Sequence, residues 1–157
     1  MKPEKMTIER AERADLKRIL ELQYLAYQSE AKLLDNFEIP PLKQTLAEAE
    51  QEYLKGHFLK AVDENGNIIG SVRACTEGET TYIGKLIVRP EIQGRGIGTS
   101  LMSEIEKECC ATRFEIFTST KSVRTISLYE HLGYVKFKEQ EISDKLSLVF
   151  LEKFALA

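Results

Sequence analysis

The sequence predicts a mixed α/β (α+β) fold in which a central, mostly antiparallel sheet of six to seven strands is flanked by about four helices. Apolar residues alternate with a period of two from His57 to Val88. They recur every three to four residues in segments that begin near Asp15 and Gly98. A strand, a glycine-rich loop, a helix and a further strand follow one another over residues 80–118, and such a crossover makes part of the sheet parallel or splayed.

The N-terminal third contains a short strand and two amphipathic helices. Residues 7–10 predict the strand. Asp15 can begin the first helix, whose face consists of Leu16, Ile19, Leu20, Tyr24 and Tyr27, with Gln23 as a break. A Pro-Pro pair then interrupts the chain, and a second helix follows with its apolar face at Leu42, Leu46, Ala49 and Tyr53.

Three antiparallel strands form the centre of the predicted sheet. The first two, residues 57–62 and 68–75, are joined by a turn with Asn-Gly at its tip, a pair that favours a tight hairpin. A second turn leads into the third strand, residues 80–88, which ends just before a proline. Together they predict a meander.

The C-terminal half supplies the crossover and a final hairpin. After the glycine-rich loop comes a helix, and residues 114–118 predict the strand that follows it. Ser122 is expected to cap a short helix that stops at Gly133. Residues 134–138 and 146–154 predict two final strands that pair with each other.

Length and composition indicate one globular domain over residues 1–157, because a chain of this size can bury a sufficient core. The 43% hydrophobic and 30% charged residues exclude disordered and disulfide-framework classes. A net charge of −3 speaks against general nucleic-acid binding. The N-terminus has no apolar leader and no apolar run approaches the ~20 residues of a membrane helix, so we expect a cytoplasmic protein that makes no membrane contact.

The cysteines and histidines predict no metal site. Cys75, Cys109 and Cys110 do not have metal-ligand spacing, and neither histidine completes a cluster with them. We expect buried, reduced thiols, with one of the adjacent pair buried and the other half-exposed. A nucleophilic role for the adjacent pair is disfavoured, because nothing nearby in the sequence would lower a thiol pKa.

The chemistry concentrates in the loop from Gln93 to Thr99, which follows a strand and starts a helix. Its glycines let successive amide N–H groups converge, and the helix dipole adds positive charge, so the loop suits a phosphate or pyrophosphate. Arg95 can add a charge-assisted contact. No Lys follows the last glycine as in a P-loop, and the glycine spacing is one position short of the dinucleotide fingerprint. A glycine-rich turn without a ligand is the alternative.

Two segments then resemble one family. Residues 86–102, LIVRPEIQGRGIGTSLM, are similar to the acetyl-CoA signature of the GNAT superfamily of N-acetyltransferases. Residues 122–134, SVRTISLYEHLGY, are similar to the second conserved segment of the same family, and the order of elements fits over nearly the whole chain. The resemblance implies a GNAT fold, acetyl-CoA as cosubstrate and a primary amine of a small molecule or protein as acceptor. A homodimer is also possible on this resemblance.

The resemblance also assigns roles to residues. Backbone amides would hold the CoA pyrophosphate, and they belong to Gln93, Gly94, Arg95, Gly96, Ile97, Gly98 and Thr99. Three residues of the preceding strand, Leu86, Ile87 and Val88, would pair with the pantetheine arm. The amide of Leu86 would stabilise the oxyanion, and Tyr129 would lie near the CoA sulfur. Ser122 stands where the family often has Asn.

Acetyl transfer needs a neutral amine, a donor to the oxyanion and a proton for the thiolate. A phenol is protonated at pH 7, which makes Tyr129 the expected general acid. The base stays open, since Tyr82 stands where many members have Glu. Glu77, Glu79 and Glu30 are side-chain alternatives, and a water chain to solvent is slightly favoured over them.

The acceptor site is expected near the first two helices, with Tyr27, Glu30 and Tyr82 as candidates. Acidic side chains in that region would attract a cationic amine or simply form a solvated surface; they are Glu30, Asp35, Glu38, Glu48 and Glu50. Two other functions remain open at this point. One is a non-catalytic acyl-CoA sensor or partner module, and the other is an ATP- or dinucleotide-dependent enzyme.

Overall fold

Residues 5–155 are described here from a computed structural model of the chain. They form a seven-stranded sheet with the strand order β1-β2-β3-β4-β5-β7-β6. The strands are β1 (Met6–Arg10), β2 (His57–Asp63), β3 (Ile68–Glu77), β4 (Thr80–Val88), β5 (Arg113–Ser119), β6 (Val135–Ser143) and β7 (Leu146–Phe154). Every neighbouring pair is antiparallel except β4 and β5. The predicted mixed, mostly antiparallel sheet is confirmed.

Six α-helical segments accompany the sheet within the described residues. They are α1 (Leu16–Ala26), α2 (Gln28–Leu34), α3 (Pro40–Lys43), α4 (Leu46–Lys55), α5 (Ile97–Cys109) and α6 (Val123–His131). Short 3₁₀ turns at Arg13–Asp15 and Pro90–Ile92 precede α1 and the glycine loop. The predicted α/β class is confirmed, and the segments outnumber the four expected because both N-terminal helices divide in two.

Local capping explains where these two helices divide. Tyr27 is at once the last cap of α1 and the first cap of α2, so Glu30 lies in the first turn of a new helix rather than at the end of the first. α4 begins at Leu46, later than the predicted start near Leu42. Thr45 and Glu48 form a reciprocal capping box, in which the Glu48 amide donates to Thr45 Oγ1 over 3.2 Å, and this fixes the start of the helix.

The core lies on both faces of the central strands. Leu101, Met102 and Ile105 of α5 are completely buried against one face. Gly70 makes this close approach possible, because a Cβ there would lie only 3.0 Å from Leu101 Cδ1. The apolar face of α1 packs on the opposite side, against Phe58 among others. The sheet between these helices is therefore held firmly in place.

A buried polar network, consisting of Gln23, Gln44, Glu52, Arg73 and Lys85, joins α1 and α4 to the sheet. Arg73 is only 5% exposed and donates to Gln23 Oε1 over 2.9 Å. It also donates to Gln44 Oε1 over 3.0 Å and to Glu52 Oε2 over 3.1 Å. Lys85 is 3.3 Å from the other Glu52 oxygen. The break at Gln23 in the apolar face of α1 is thus a buried partner of Arg73.

The thiols differ from expectation. Cys75 and Cys109 are half-buried and Cys110 is exposed, so all three thiols are less buried than predicted. Cys110 follows the end of α5 in a left-handed conformation (φ 47°), beyond the face that packs on the sheet. Burial raises the pKa of Cys109, which keeps this thiol protonated and unreactive.

Two further expectations concern membrane-spanning helices and metal sites. Within residues 5–155 no helix is long and apolar enough to cross a membrane. Across the same residues no group of three or more His, Cys, Asp or Glu side chains could hold a metal ion. The prediction that the N-terminus has no apolar leader falls partly on residues 1–4, which lie outside the described residues.

Candidate active site

β4 and β5 pair in a short parallel ladder and then diverge. The strands pair only where Thr80, Thr81 and Tyr82 face Arg113, Phe114 and Glu115. β5 then follows β7 along its whole length, while β4 continues beside β3. From Ile83 onward, the edge of β4 that faces β5 has no strand partner among residues 5–155. Unpaired backbone groups along such an edge suit an extended ligand, which can pair with them as an added strand.

A β-bulge lies at the centre of this open edge. In the ladder with β3, Gly84 faces Arg73 and Ile87 faces Ser71, so Lys85 and Leu86 fall outside the regular pairing. Lys85 has a positive φ of 48°, which is uncommon for a residue with a side chain. Bulges re-aim the groups they contain and are frequent beside active sites. This one includes Leu86, whose amide is the predicted donor to the oxyanion.

The glycine loop lies at the end of β4, where α5 begins. Gly94 and Gly96 both have φ of 83°, a left-handed conformation that glycine adopts without strain. Gly96 is the residue that precedes the first turn of α5, so the amide groups of that turn, which have no acceptor within the helix, lie beside the positive end of the helix dipole. Gln93, Gly94, Arg95 and Gly96 are all exposed. These features suit an anion that binds from solvent.

The first turn of α5 also borders the gap between β4 and α6. A Cβ at Gly98 would lie 3.7 Å from Leu86 on one side and 3.7 Å from Leu128 on the other. Gln93 Nε2 donates to the carbonyl of Val88 over 3.2 Å and ties the loop to the strand. The two segments singled out in the sequence, residues 86–102 and 122–134, therefore meet at one cleft.

Four polar residues, Tyr27, Glu30, Ser122 and Tyr129, form a cluster beside this cleft, which we call the tyrosine–carboxylate cluster. Ser122, at the start of α6, is 8% exposed, and Tyr129, within α6, is 4% exposed. The Ser122 hydroxyl donates to Glu30 Oε1 over 2.6 Å. Burial raises the pKa of both Tyr27 and Tyr129, and the negative charge of Glu30 raises both further. Both phenols are therefore fully protonated at neutral pH.

Ser122 occupies the cap position of α6 without capping it. Its backbone (φ −82°, ψ 65°) is not the extended conformation of a capping residue, and its side chain makes no capping hydrogen bond. The hydroxyl is engaged with Glu30 instead. The prediction of a Ser122 cap was wrong for this reason. The contact joins residues 92 positions apart, so no local pattern in the sequence indicates it.

The other carboxylates considered as bases lie elsewhere. Glu79 precedes β4, and seven residues of strand at ~3.3 Å each put it roughly 20 Å from Leu86. Glu77 pairs with Thr80 at the same distant end. Tyr82 is 42% exposed and lies at the last paired position before the strands part. The remaining acidic side chains near the first helices contact partners of their own: Asp35 with Lys145, Glu38 with Lys43, Glu48 with Thr45 and Glu50 with Arg13.

Residues 55–136, more than half of the chain, match the family model described as acetyltransferase (GNAT) domain. The chain belongs to the GNAT acetyltransferase family. Members of this family use acetyl-CoA as cosubstrate, and the resemblance found in the sequence is confirmed. The match spans both GNAT motifs, but it begins after α1 and α2, so Tyr27 and Glu30 lie outside it.

Solved structures share the GNAT fold along nearly the whole chain. A phosphinothricin acetyltransferase from Sinorhizobium meliloti in complex with acetyl-CoA is 21% identical, with a TM-score of 0.74, over 95% of this chain and 88% of that one. The ribosomal-protein-S18-alanine N-acetyltransferase from Escherichia coli is 15% identical, with a TM-score of 0.78, over 98% and 96%. A GNAT-family acetyltransferase from Staphylococcus aureus is 17% identical, with a TM-score of 0.77, over 96% and 99%.

Proposed function

We propose that this GNAT-family protein is an N-acetyltransferase that transfers the acetyl group of acetyl-CoA directly to a primary amine of a small molecule or protein. The observation that carries the proposal is the parting of β4 from β5 with the glycine loop at the end of the open edge. This arrangement offers a strand edge to an extended arm and an anion site at its end. Acetyl-CoA has both an extended pantetheine arm and an anionic pyrophosphate.

The cosubstrate would bind chiefly through backbone groups. The pyrophosphate would lie against the amides from Gly94 to Thr99, where the helix dipole favours negative charge. The amide of Gln93, predicted to join them, donates instead to the carbonyl of Pro90 over 3.5 Å. The pantetheine arm would pair with β4 from Leu86 to Val88. Arg95, at the exposed tip of the loop, would add a charge-assisted contact to a phosphate.

The chemistry requires few side chains. The amine nitrogen attacks the thioester carbonyl, the negative charge that develops on oxygen is met by the amide of Leu86, and the C–S bond then breaks. Tyr129 gives its proton to the departing sulfur. Its raised pKa keeps the phenol protonated but also makes it a weaker acid, so we expect a contribution at the lower end of the ~10²–10⁴-fold range of general acids.

One observation favours a second candidate, a non-catalytic acyl-CoA-binding module. β4 carries no carboxylate from Thr80 to Val88, and Tyr82 occupies the position of the family's frequent Glu. Such a module would bind acetyl-CoA through the same backbone groups without turnover. The two functions therefore differ in activity and not in cosubstrate affinity.

Two measurements test the proposal. Calorimetry and thermal unfolding should show binding and stabilisation by acetyl-CoA, with none by ATP or NAD. A screen of primary amines, followed by release of the free CoA thiol, should then identify acceptors. Binding without thiol release from any amine would favour the non-catalytic module. Failure to bind acetyl-CoA would overturn both functions.

A further inference from the structure

We propose that Glu30, held by Ser122, receives the acceptor as a cationic ammonium and takes its proton, so that the substrates are amines that are charged at neutral pH. This inference rests on the proposed acetyl transfer and names its base and its substrate class. It departs from the expectation of a water chain in place of a side-chain base.

The contact between Ser122 and Glu30 orients the carboxylate. At 2.6 Å it belongs to the short class of hydrogen bonds in which a hydroxyl donates to a charged oxygen. Ser122 is 92% buried, so its hydroxyl is fixed by its surroundings and Oε1 of Glu30 is fixed with it. The second oxygen, Oε2, accepts no hydrogen bond from residues 5–155. One carboxylate oxygen is thus anchored and the other is available to an incoming donor.

The charge around Glu30 calls for a cation. Within the described part of the chain Glu30 forms no ion pair, whereas Asp35, Glu38 and Glu50 of the same region each contact a Lys or Arg. The charge of Glu30 acts on Tyr27, from the α1–α2 junction, and on Tyr129, from α6, and both are neutral phenols. Arg73 on β3 acts on Tyr27 and is already bonded to Glu52. A half-buried carboxylate with no counter-ion is stabilised by a ligand that brings one.

The location suits a proton transfer that precedes acetyl transfer. Glu30 contacts Ser122 at the start of α6, and Tyr129, which we place at the CoA sulfur, lies seven residues farther along the same face of that helix. The ammonium gives one proton to Glu30, and the neutral nitrogen then forms the C–N bond as the C–S bond breaks. Tyr129 protonates the sulfur and recovers its proton from the nitrogen as the amide forms. Glu30 releases its proton to solvent with the product, so one proton leaves per turnover.

The roles of the two residues differ. Glu30 touches the reacting nitrogen and is the catalytic residue, whereas Ser122 is a positioning residue that acts through Glu30. Glu30→Gln keeps the shape and an acceptor oxygen but removes the charge, and we expect kcat/KM for a cationic amine to fall by about 10²–10³-fold. Acetyl-CoA affinity should stay unchanged in this variant. Glu38→Gln, on an exposed carboxylate paired with Lys43, is the matched control and should leave kcat/KM as it is.

Two amines of similar shape separate a base from a merely structural residue. Benzylamine is cationic at pH 7 and aniline is largely neutral. Glu30→Gln should lose activity on benzylamine while retaining most of its activity on aniline. In the wild type, the acidic limb of kcat/KM should have the same midpoint for two cationic amines of different basicity, because an enzyme group sets it. In Glu30→Gln, the limb should instead follow each amine.

Ser122 provides an independent test. Ser122→Ala should lower kcat/KM for benzylamine about tenfold and leave kcat/KM for aniline unchanged, because the hydroxyl orients the carboxylate that receives the ammonium. Ser122→Thr keeps a hydroxyl and should restore the activity on benzylamine. Equal activity of wild type and Glu30→Gln on benzylamine, or an acidic limb that follows the amine in the wild type, would overturn the role of Glu30 alone. A wild type inactive on every amine would overturn the proposed function itself.

Discussion

The two sides of the cleft are built in different ways. The proposed cosubstrate side consists of contiguous chain, from β4 through the glycine loop into α5, and offers mainly backbone groups. The proposed acceptor side is assembled from side chains of α2 and of the start of α6, and its two hydrogen-bonded members lie 92 positions apart. Backbone recognition depends on conformation and tolerates changes of side chain, whereas the acceptor side depends on a few particular side chains. Substitutions should therefore separate the two sides cleanly.

The largest effect is expected at Gly96. Gly96→Pro imposes φ near −65° where the chain has φ of 83°, and it removes an amide donor, so acetyl-CoA binding should be lost. Gly96→Ala and Gly66→Ala form a matched pair, because both glycines have φ above 80° and open space where a Cβ would lie. Only the substitution at Gly96 should weaken binding in calorimetry. Normal acetyl-CoA binding by Gly96→Pro would place the pyrophosphate elsewhere.

The next effect tests Tyr129 as the general acid. Tyr129→Phe should lower kcat by about 10²-fold with acetyl-CoA affinity unchanged, because the phenol acts only as the C–S bond breaks. Tyr134 is a suitable control, since its ring lies 6.1 Å from that of Tyr129 but its hydroxyl donates to Glu106 over 2.8 Å. Tyr134→Phe should lower stability and spare kcat. If kcat survives in Tyr129→Phe while chemistry is rate-limiting, Tyr129 has no part in the mechanism.

The polar network around Arg73 predicts an effect on stability. Arg73→Met removes hydrogen bonds to Gln23, Gln44 and Glu52, and we expect the free energy of unfolding to fall by about 2–3 kcal/mol. Arg13→Met, which removes an exposed pair with Glu50, should change it by less than about 0.5 kcal/mol. Urea denaturation measures both. Equal values for the two variants would show that burial of Arg73 contributes nothing.

The smallest effect is expected at Arg95. Arg95→Ala should weaken acetyl-CoA binding about tenfold, equivalent to ~1.4 kcal/mol, since it removes one exposed charge-assisted contact and leaves the backbone amides in place. Titration calorimetry at two salt concentrations should show that the loss shrinks as salt rises. A loss as large as that of Gly96→Pro would mean that side chains, and not amides, dominate the cosubstrate side.

Sequence and structure agree best where information is local. The meander and the crossover were predictable because apolar strand segments between His57 and Val88 are separated by turn residues, and the Asn-Gly tip fixes the hairpin. Strict alternation does not hold, since residues 68–74 are buried on both faces of the sheet. The glycine loop and the helix that it starts were predictable for the same reason, since the glycines lie within one short segment. Parting of β4 from β5 after Tyr82 was expected only as a possible splay, because periodicity does not show where a parallel ladder ends.

The tyrosine–carboxylate cluster could be predicted only in part. Tyr27 and Glu30 were candidates for the acceptor site, but Ser122, the partner of Glu30, was expected to be an ordinary helix cap, because serine favours that position on local grounds. In the folded chain the Ser122 hydroxyl donates a hydrogen bond to Glu30. In the same way Gln23 interrupts an apolar face in the sequence, and only the fold shows that Arg73 lies opposite. Long-range polar contacts leave no periodic signal.

The short ladder between β4 and β5 has a mechanical consequence. The two parts of the sheet, β1–β4 and β5–β7, are joined by backbone pairing at only three positions. A molecule that binds along the open edge and contacts both parts would hold them together, and part of its binding free energy would then stabilise the sheet. Anything that binds the folded chain in this way also lengthens its lifetime. The supply of cosubstrate would thereby set how long the enzyme persists as well as how fast it works.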